Sequence, residues 1–126
     1  AAVQKQYQEN GIGRWAIIDK LTNSFIGWTG LKLETKLRPE RQYYDLGYRL
    51  KSKYWAKGIA TETAMASLQY GFNTLNLEKI CAAAHPDNIA SNIILKKIGL
   101  NFIETFEFEE ETVNWYTLDK PTWKQL

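Results

Sequence analysis

Cysteine and histidine are nearly missing from this chain: Cys81 and His85 stand alone among 126 residues. A lone cysteine excludes an internal disulfide. One histidine and one cysteine make no metal cluster. The lack of disulfides fits a reducing, cytoplasmic setting. An excess of one charge sign is missing too. The net charge of +2 is too small to draw nucleic acid by charge alone. No apolar run is long enough to span a membrane, and no secretory leader opens the chain. The first residue is Ala1 rather than Met, so the sequence reads as a fragment. What is present is ordinary for a globular protein, with 44% apolar and 24% charged residues. The length predicts one domain over 1–126, with a core that needs no staples.

Residues 1 to 9 are polar and helix-tolerant, and Asn10-Gly11 breaks them. "RWAIID" from Arg14 and "FIGWTGLKL" from Phe25 read as strands, joined by a polar turn at Lys20 to Ser24 into a hairpin. Pro39 marks a charged loop. "YYDLGYRL" from Tyr43 is aromatic and partly alternating, which predicts a third strand. After Gly58, the residues Ala60, Ala64, Leu68 and Phe72, with Met65, recur at helical spacing. They predict a helix from about Ile59 to about Asn73, roughly 22 Å long. "KICAAA" reads as a short apolar strand. "HPDN" is a turn in which Asp87 or Asn88 caps a second helix. That helix carries Ile94, Leu95 and Ile98 and stops at Gly99. "NFIETFEF" and "TVNWYTL" predict a closing hairpin. Strands alternating with helices imply a parallel pair inside a mixed α/β sheet.

The stretch "YWAKGIATET" raises the functional question. A strand, a loop and a helix start leave several backbone N–H groups facing the loop. The helix dipole adds partial positive charge. Such a place suits phosphate. Gly58 lets a ligand come close to the backbone, and Ala60 keeps the first turn thin. Lys51, Lys53 and Lys57 lie on or beside the loop. The pattern is neither a nucleotide P-loop, which ends in Gly-Lys-Ser/Thr, nor G-x-G-x-x-G. On this stretch alone, a plain glycine turn before a helix explains the residues as well.

The ordered set of segments says more. "DLGYRL", "YWAKGIATET", "LNLEKICA" and "NIASNIILKKIGL" follow one another over residues 45 to 100. In order and spacing they resemble "EIGYWL", "YWGKGYATEA", "L.L.RI.A" and "N.AS...L.K.GF" of the GNAT superfamily of N-acetyltransferases. The likeness is greatest to the branch of ribosomal-protein N-terminal (alanine/serine) and spermidine-type acetyltransferases. "GRWAIIDKLTNSFIGWTGL" resembles the preceding hairpin of that family. Trp55 stands where the family usually has Gln or Arg. The resemblance implies a GNAT-like, mostly antiparallel sheet with a splayed parallel strand pair and flanking helices. The family's first strand and the helices after it are expected before residue 1 and are absent from the chain. The uncovered edge at "RWAIID" would then invite a second copy, so a homodimer paired about a two-fold axis is an expectation.

The same resemblance implies acetyl-CoA as donor and a small-molecule or protein amine as acceptor, with no nucleic acid and no membrane involved. The pyrophosphate would sit on backbone N–H groups of Lys57, Gly58, Ile59, Ala60 and Thr61. The pantetheine arm would run along the strand at Tyr48 to Leu50, where a backbone N–H would polarise the thioester carbonyl. Asn88 and Ser91 match family residues near that arm. Asp45 matches the strand carboxylate and is the base candidate, acting through water. Its plainer reading is a surface aspartate paired with an arginine. The family's acid, a tyrosine seven residues after the asparagine, is Leu95 here. Solvent or Tyr116 would then protonate the thiolate, although Tyr116 reads first as a core aromatic. His85 reads as a turn residue and Cys81 as a small buried one. Trp15, Trp28 and Trp115 read as sheet packing. "EFEEE", from Glu107 to Glu111, reads as a solvated hairpin tip that would attract a basic acceptor only in a second reading. Two other functions fit less well: a non-catalytic acyl-CoA-binding module, favoured by Leu95, and a nucleotide phosphate-binding domain.

Overall fold

The computed structural model describes residues 14–19, 21–34 and 42–126. The readings of residues 1 to 9, of Lys20 and of the Pro39 loop lie outside the described residues. Three strands open the chain: β1 (Arg14–Ile18), β2 (Phe25–Glu34) and β3 (Tyr43–Leu50). Helix α1 (Ile59–Gln69) follows and winds into a π-turn at Tyr70–Thr74. Strand β4 (Lys79–Ala84) leads to helix α2 (Ile89–Lys97). The hairpin β5 (Asn101–Phe108) and β6 (Glu111–Asp119) ends in a short helix α3 (Lys120–Lys124). The strands form one sheet in the order β1-β2-β3-β4-β6-β5. All neighbours are antiparallel except β3 and β4. The expected mixed sheet with one parallel pair is therefore present.

Alternation along the strands sorts side chains to two faces. Leu31, Leu46, Ile80, Ala82, Tyr116 and Leu118 share one face and pack with Ala64, Leu68, Phe72, Leu95 and Ile98 from the helices. This is the main core. The other face carries a smaller cluster of Tyr43, Cys81 and Trp115. There Trp115 meets the Tyr43 ring edge-on at 5.0 Å. Trp15 packs the same way on Tyr70 at 4.8 Å. Gly27 sits where β2 crosses β3 so closely that a Cβ would lie 2.0 Å from the Arg49 carbonyl oxygen. Only glycine fits there.

Helix α1 and the π-turn after it bury the expected stripe at Ala64, Leu68 and Phe72, but not at Met65. Ile59, Thr63, Ala64, Ser67 and Leu68 are buried, while Met65 is 54% exposed. Two small polar residues take the inner positions because each finds a partner on its own helix. The Thr63 hydroxyl donates to the Ile59 carbonyl at 2.9 Å, and the Ser67 hydroxyl to the Thr63 carbonyl at 3.0 Å. Ser67 also meets the Thr29 hydroxyl at 3.3 Å. Small side chains let α1 lie close to β2 and β3, and the hydroxyls of Thr63 and Ser67 are both satisfied there.

Candidate functional site

The parallel pair opens a gap in the sheet. Asp45 is registered on Cys81, and no other register pair joins β3 to β4 among the described residues. The direction of the backbone groups beyond Asp45 follows from the β2 ladder. Lys51 N–H donates to the Ile26 carbonyl at 2.8 Å, and Leu50 is registered on Gly27. Hydrogen-bonded pairs alternate along an antiparallel ladder. Arg49 and Gly47 therefore bond to β2, while the N–H and C=O of Tyr48 and Leu50 point the other way, toward the gap. The Leu50 carbonyl is engaged within the chain: the Trp55 indole N–H donates to it at 3.0 Å. That leaves the backbone of Tyr48 and the N–H of Leu50 to meet a ligand in the gap.

The strand runs out into the loop that ends at Gly58. Gly58 has φ 81° and caps α1 with no side-chain hydrogen bond. An L side chain is strained in that conformation. A Cβ built there would have no neighbour within 4 Å, so the space over the loop is open. Glu62 N–H makes the first helical bond, to the Gly58 carbonyl at 3.0 Å. The N–H groups of Ile59, Ala60 and Thr61 come before any helical acceptor. Ile59 anchors this turn by burying against Ile17 and Ile26. A cleft of about 340 Å³ beside it is lined by Asp19, Lys53, Tyr54, Lys57 and Ile59. Lys51 instead lies over the Phe25 ring at 5.5 Å, and Lys53 over Tyr54 at 5.3 Å.

Helix α2 starts beside the gap. The Asn88 side-chain oxygen caps it by accepting from Ser91 N–H at 3.1 Å. The Ser91 hydroxyl meets the Tyr48 hydroxyl at 2.9 Å, which ties α2 to β3. Burial pushes the Tyr48 phenol above its usual range, partly offset by the Ser91 hydrogen bond. Burial raises Tyr116 as well. Both phenols are therefore protonated at neutral pH. The Tyr116 hydroxyl donates to the Asn92 side-chain oxygen at 2.5 Å.

The structure thus brings Tyr48, Asn88 and Ser91 together at one end of the gap, with Lys57 to Thr61 at the start of α1 below β3. Asp45 stands apart from the tyrosine side chain: three residues earlier on β3, it lies on the opposite face, half-buried beside Cys81. Leu95 is 1% exposed and belongs to the main core. Tyr116 is likewise a core aromatic. His85 is a turn residue whose Nδ1 accepts from Asp87 N–H at 3.1 Å. Glu109 and Glu110 form the hairpin tip with positive φ. Sequence reasoning missed the Tyr48 hydroxyl and Asn92. The signal for Asn92 was its place one turn after Asn88, inside a helix that asparagine disfavours.

Residues 1–101 match the family model described as the acetyltransferase (GNAT) domain. Among curated proteins, the uncharacterized N-acetyltransferase YoaA of Bacillus subtilis is 31% identical over 121 residues, taking in 91% of this chain and 67% of that protein. The chain spans 58% to 67% of the length of the first curated relatives it matches. Among solved structures, the ribosomal-protein-S5-alanine acetyltransferase of Vibrio fischeri superposes with a TM-score of 0.77 at 22% identity, covering 89% of this chain and 63% of that one. A variant of the spermidine N-acetyltransferase SpeG of Vibrio cholerae gives a TM-score of 0.76 at 17% identity, covering 92% and 70%. At these identities the two structures show the fold alone.

Proposed function

The chain belongs to the family of GNAT acetyltransferase domains, and on that premise we propose that it moves an acetyl group from acetyl-CoA to a primary amine. The observation that carries the proposal is the pairing of two features. Backbone groups of Tyr48 and Leu50 aim into the gap between β3 and β4, and the strand that bears them leads to the open N-terminus of α1. The pyrophosphate of CoA suits the N–H groups of Lys57, Gly58, Ile59, Ala60 and Thr61. The pantetheine arm then lies along Tyr48 to Leu50, with Asn88 and Ser91 on its other side. A backbone N–H of β3 would face the thioester oxygen as it gains charge. One such donor is typically worth about 3 to 4 kcal/mol of barrier.

The acceptor nitrogen attacks the thioester carbonyl, the C–S bond breaks, and CoA leaves as thiolate. The amine must arrive neutral and lose one proton afterwards. Asp45, on the face of the sheet away from Tyr48, takes that proton through water in this reading. A free lysine is neutral in only about one molecule in 2,500 at pH 7, an α-amine in about one in seven. A protein N-terminus therefore needs less help than a lysine, and is the acceptor we favour, with a small polyamine second. With Leu95 in the core, the leaving thiolate takes its proton from solvent, which a thiol pKa near about 8.5 tolerates.

Thiol release from acetyl-CoA, measured with an alanine- or serine-started peptide and with spermidine, tests the proposal. Release that depends on an amine supports it. The buried Leu95 favours one competing reading, a non-catalytic acyl-CoA-binding module. CoA binding without thiol release for any amine would establish that instead.

A further inference from the structure

Asn92 makes every hydrogen bond that an amide side chain can make. A carboxamide offers two N–H donors and two acceptor positions. Its Nδ2 donates to the His85 carbonyl at 3.0 Å and to the Asn88 carbonyl at 2.8 Å. Its Oδ1 accepts from the Tyr116 hydroxyl at 2.5 Å and from Asn114 Nδ2 at 3.0 Å. The reverse orientation of the amide would set oxygen against two carbonyls, so the network admits one arrangement. The partners belong to three segments: the turn after β4, the N-cap of α2, and β6. The network continues to β5, because Thr105 Oγ1 donates to Asn114 Oδ1 at 2.7 Å. The neighbouring Ser91 reaches the other way, to Tyr48 on β3.

The start of α2 is therefore a strut between the two sides of the gap. Ser91 ties it to β3, and Asn92 ties it to the turn after β4 and to β6. Asparagine inside a helix is disfavoured against alanine. A polar clamp at this position has to repay that in geometry. We propose that Asn92 is a positioning residue, which holds Asn88 and Ser91 at the distance from β3 that the cofactor's arm requires. This rests on the acetyl-CoA reading above and adds the residue that sets the width of the site.

The test uses two probes with the whole chain: CoA, which carries the arm, and adenosine 3′,5′-bisphosphate, which stops short of it. Asn92→Ala should bind CoA about tenfold more weakly, the equivalent of one lost buried hydrogen-bond partner. Its affinity for the bisphosphate should stay within about twofold of the parent, because the Gly58 loop is untouched. Tyr116→Phe removes only one bond of the clamp and should lose about threefold for CoA alone. It decides the matter if Asn92→Ala does not fold. A general loss of structure would weaken both probes together. Equal loss of both, or loss of neither, overturns the positioning role while leaving the cofactor reading in place. A parent protein that binds neither probe overturns the cofactor reading, and this inference with it.

Discussion

At the scale of single residues, the proposed site is tested at a glycine and a carboxylate. Gly58 has φ 81° and open space above it. Gly58→Ala should cost about 1 to 2 kcal/mol through backbone strain, read as a lower Tm. Gly58→Val adds bulk where phosphate oxygens approach. It should abolish calorimetric CoA binding in protein that remains folded by circular dichroism. Parent-like affinity in folded Gly58→Val would remove the loop from the site. Asp45→Asn makes a separate prediction. If Asp45 relays the amine proton, the variant should lose about 10²-fold in turnover and keep its affinity for acetyl-CoA. The loss should be larger with a lysine-like amine than with an α-amine. Equal rates for parent and variant on both acceptors would rule the role out.

At the scale of elements, the sequence was legible where one rule governed. Strand β3 falls at "YYDLGYRL" because the aromatic alternation there has no rival, and Asn88 caps α2 as its side chain and position require. Helix α1 was legible in extent and less so in orientation. Counting apolar residues put Met65 inside. Beside the expected Ala64 and Leu68, the inner positions went to Thr63 and Ser67, whose hydroxyls are satisfied by their own helix. Apolar periodicity does not register a buried polar residue with a local partner. The clamp at Asn92 was illegible for a related reason: the two partners that tie it to β6, Asn114 and Tyr116, are distant in sequence. Helix α2 also carries a prediction. Leu95 is buried against the sheet, so Leu95→Ala should cost about 2 to 5 kcal/mol in chemical denaturation. Leu95→Tyr, which restores the family's residue, should destabilise by about 1 to 3 kcal/mol through overpacking. It should give no gain in thiol release. A faster Leu95→Tyr enzyme of parent stability would show that this position faces the reaction and not the core.

At the scale of the whole molecule, pH should act on the same groups that join the halves of the sheet. Tyr48 and Tyr116 are both pushed up by burial. Folding therefore holds their protons more tightly than the unfolded chain does, whose tyrosines titrate near about 10. A raised value means stability that is fully present below pH 10 or so and falls as pH rises toward the folded values. At the acid end the sign reverses. Asp119 caps α3 by accepting from Thr122 N–H at 3.1 Å, and hydrogen bonding to Thr122 lowers its carboxyl from 3.8. Its contribution is present above that value and is lost as pH falls below it. The alkaline end is the sharper test, because both phenols sit at α2. Of the seven tyrosines, Tyr48 and Tyr116 should be among the last to ionise by absorbance near 295 nm. Their ionisation should coincide with loss of near-ultraviolet circular dichroism, since charging Tyr116 removes the proton it donates to Asn92 and charging Tyr48 buries an anion. In Tyr116→Phe the alkaline loss should be shallower, with one such group removed. A parent whose tyrosines all titrate together near about pH 10, with tertiary structure intact, would show that these phenols are not held as the structure has them.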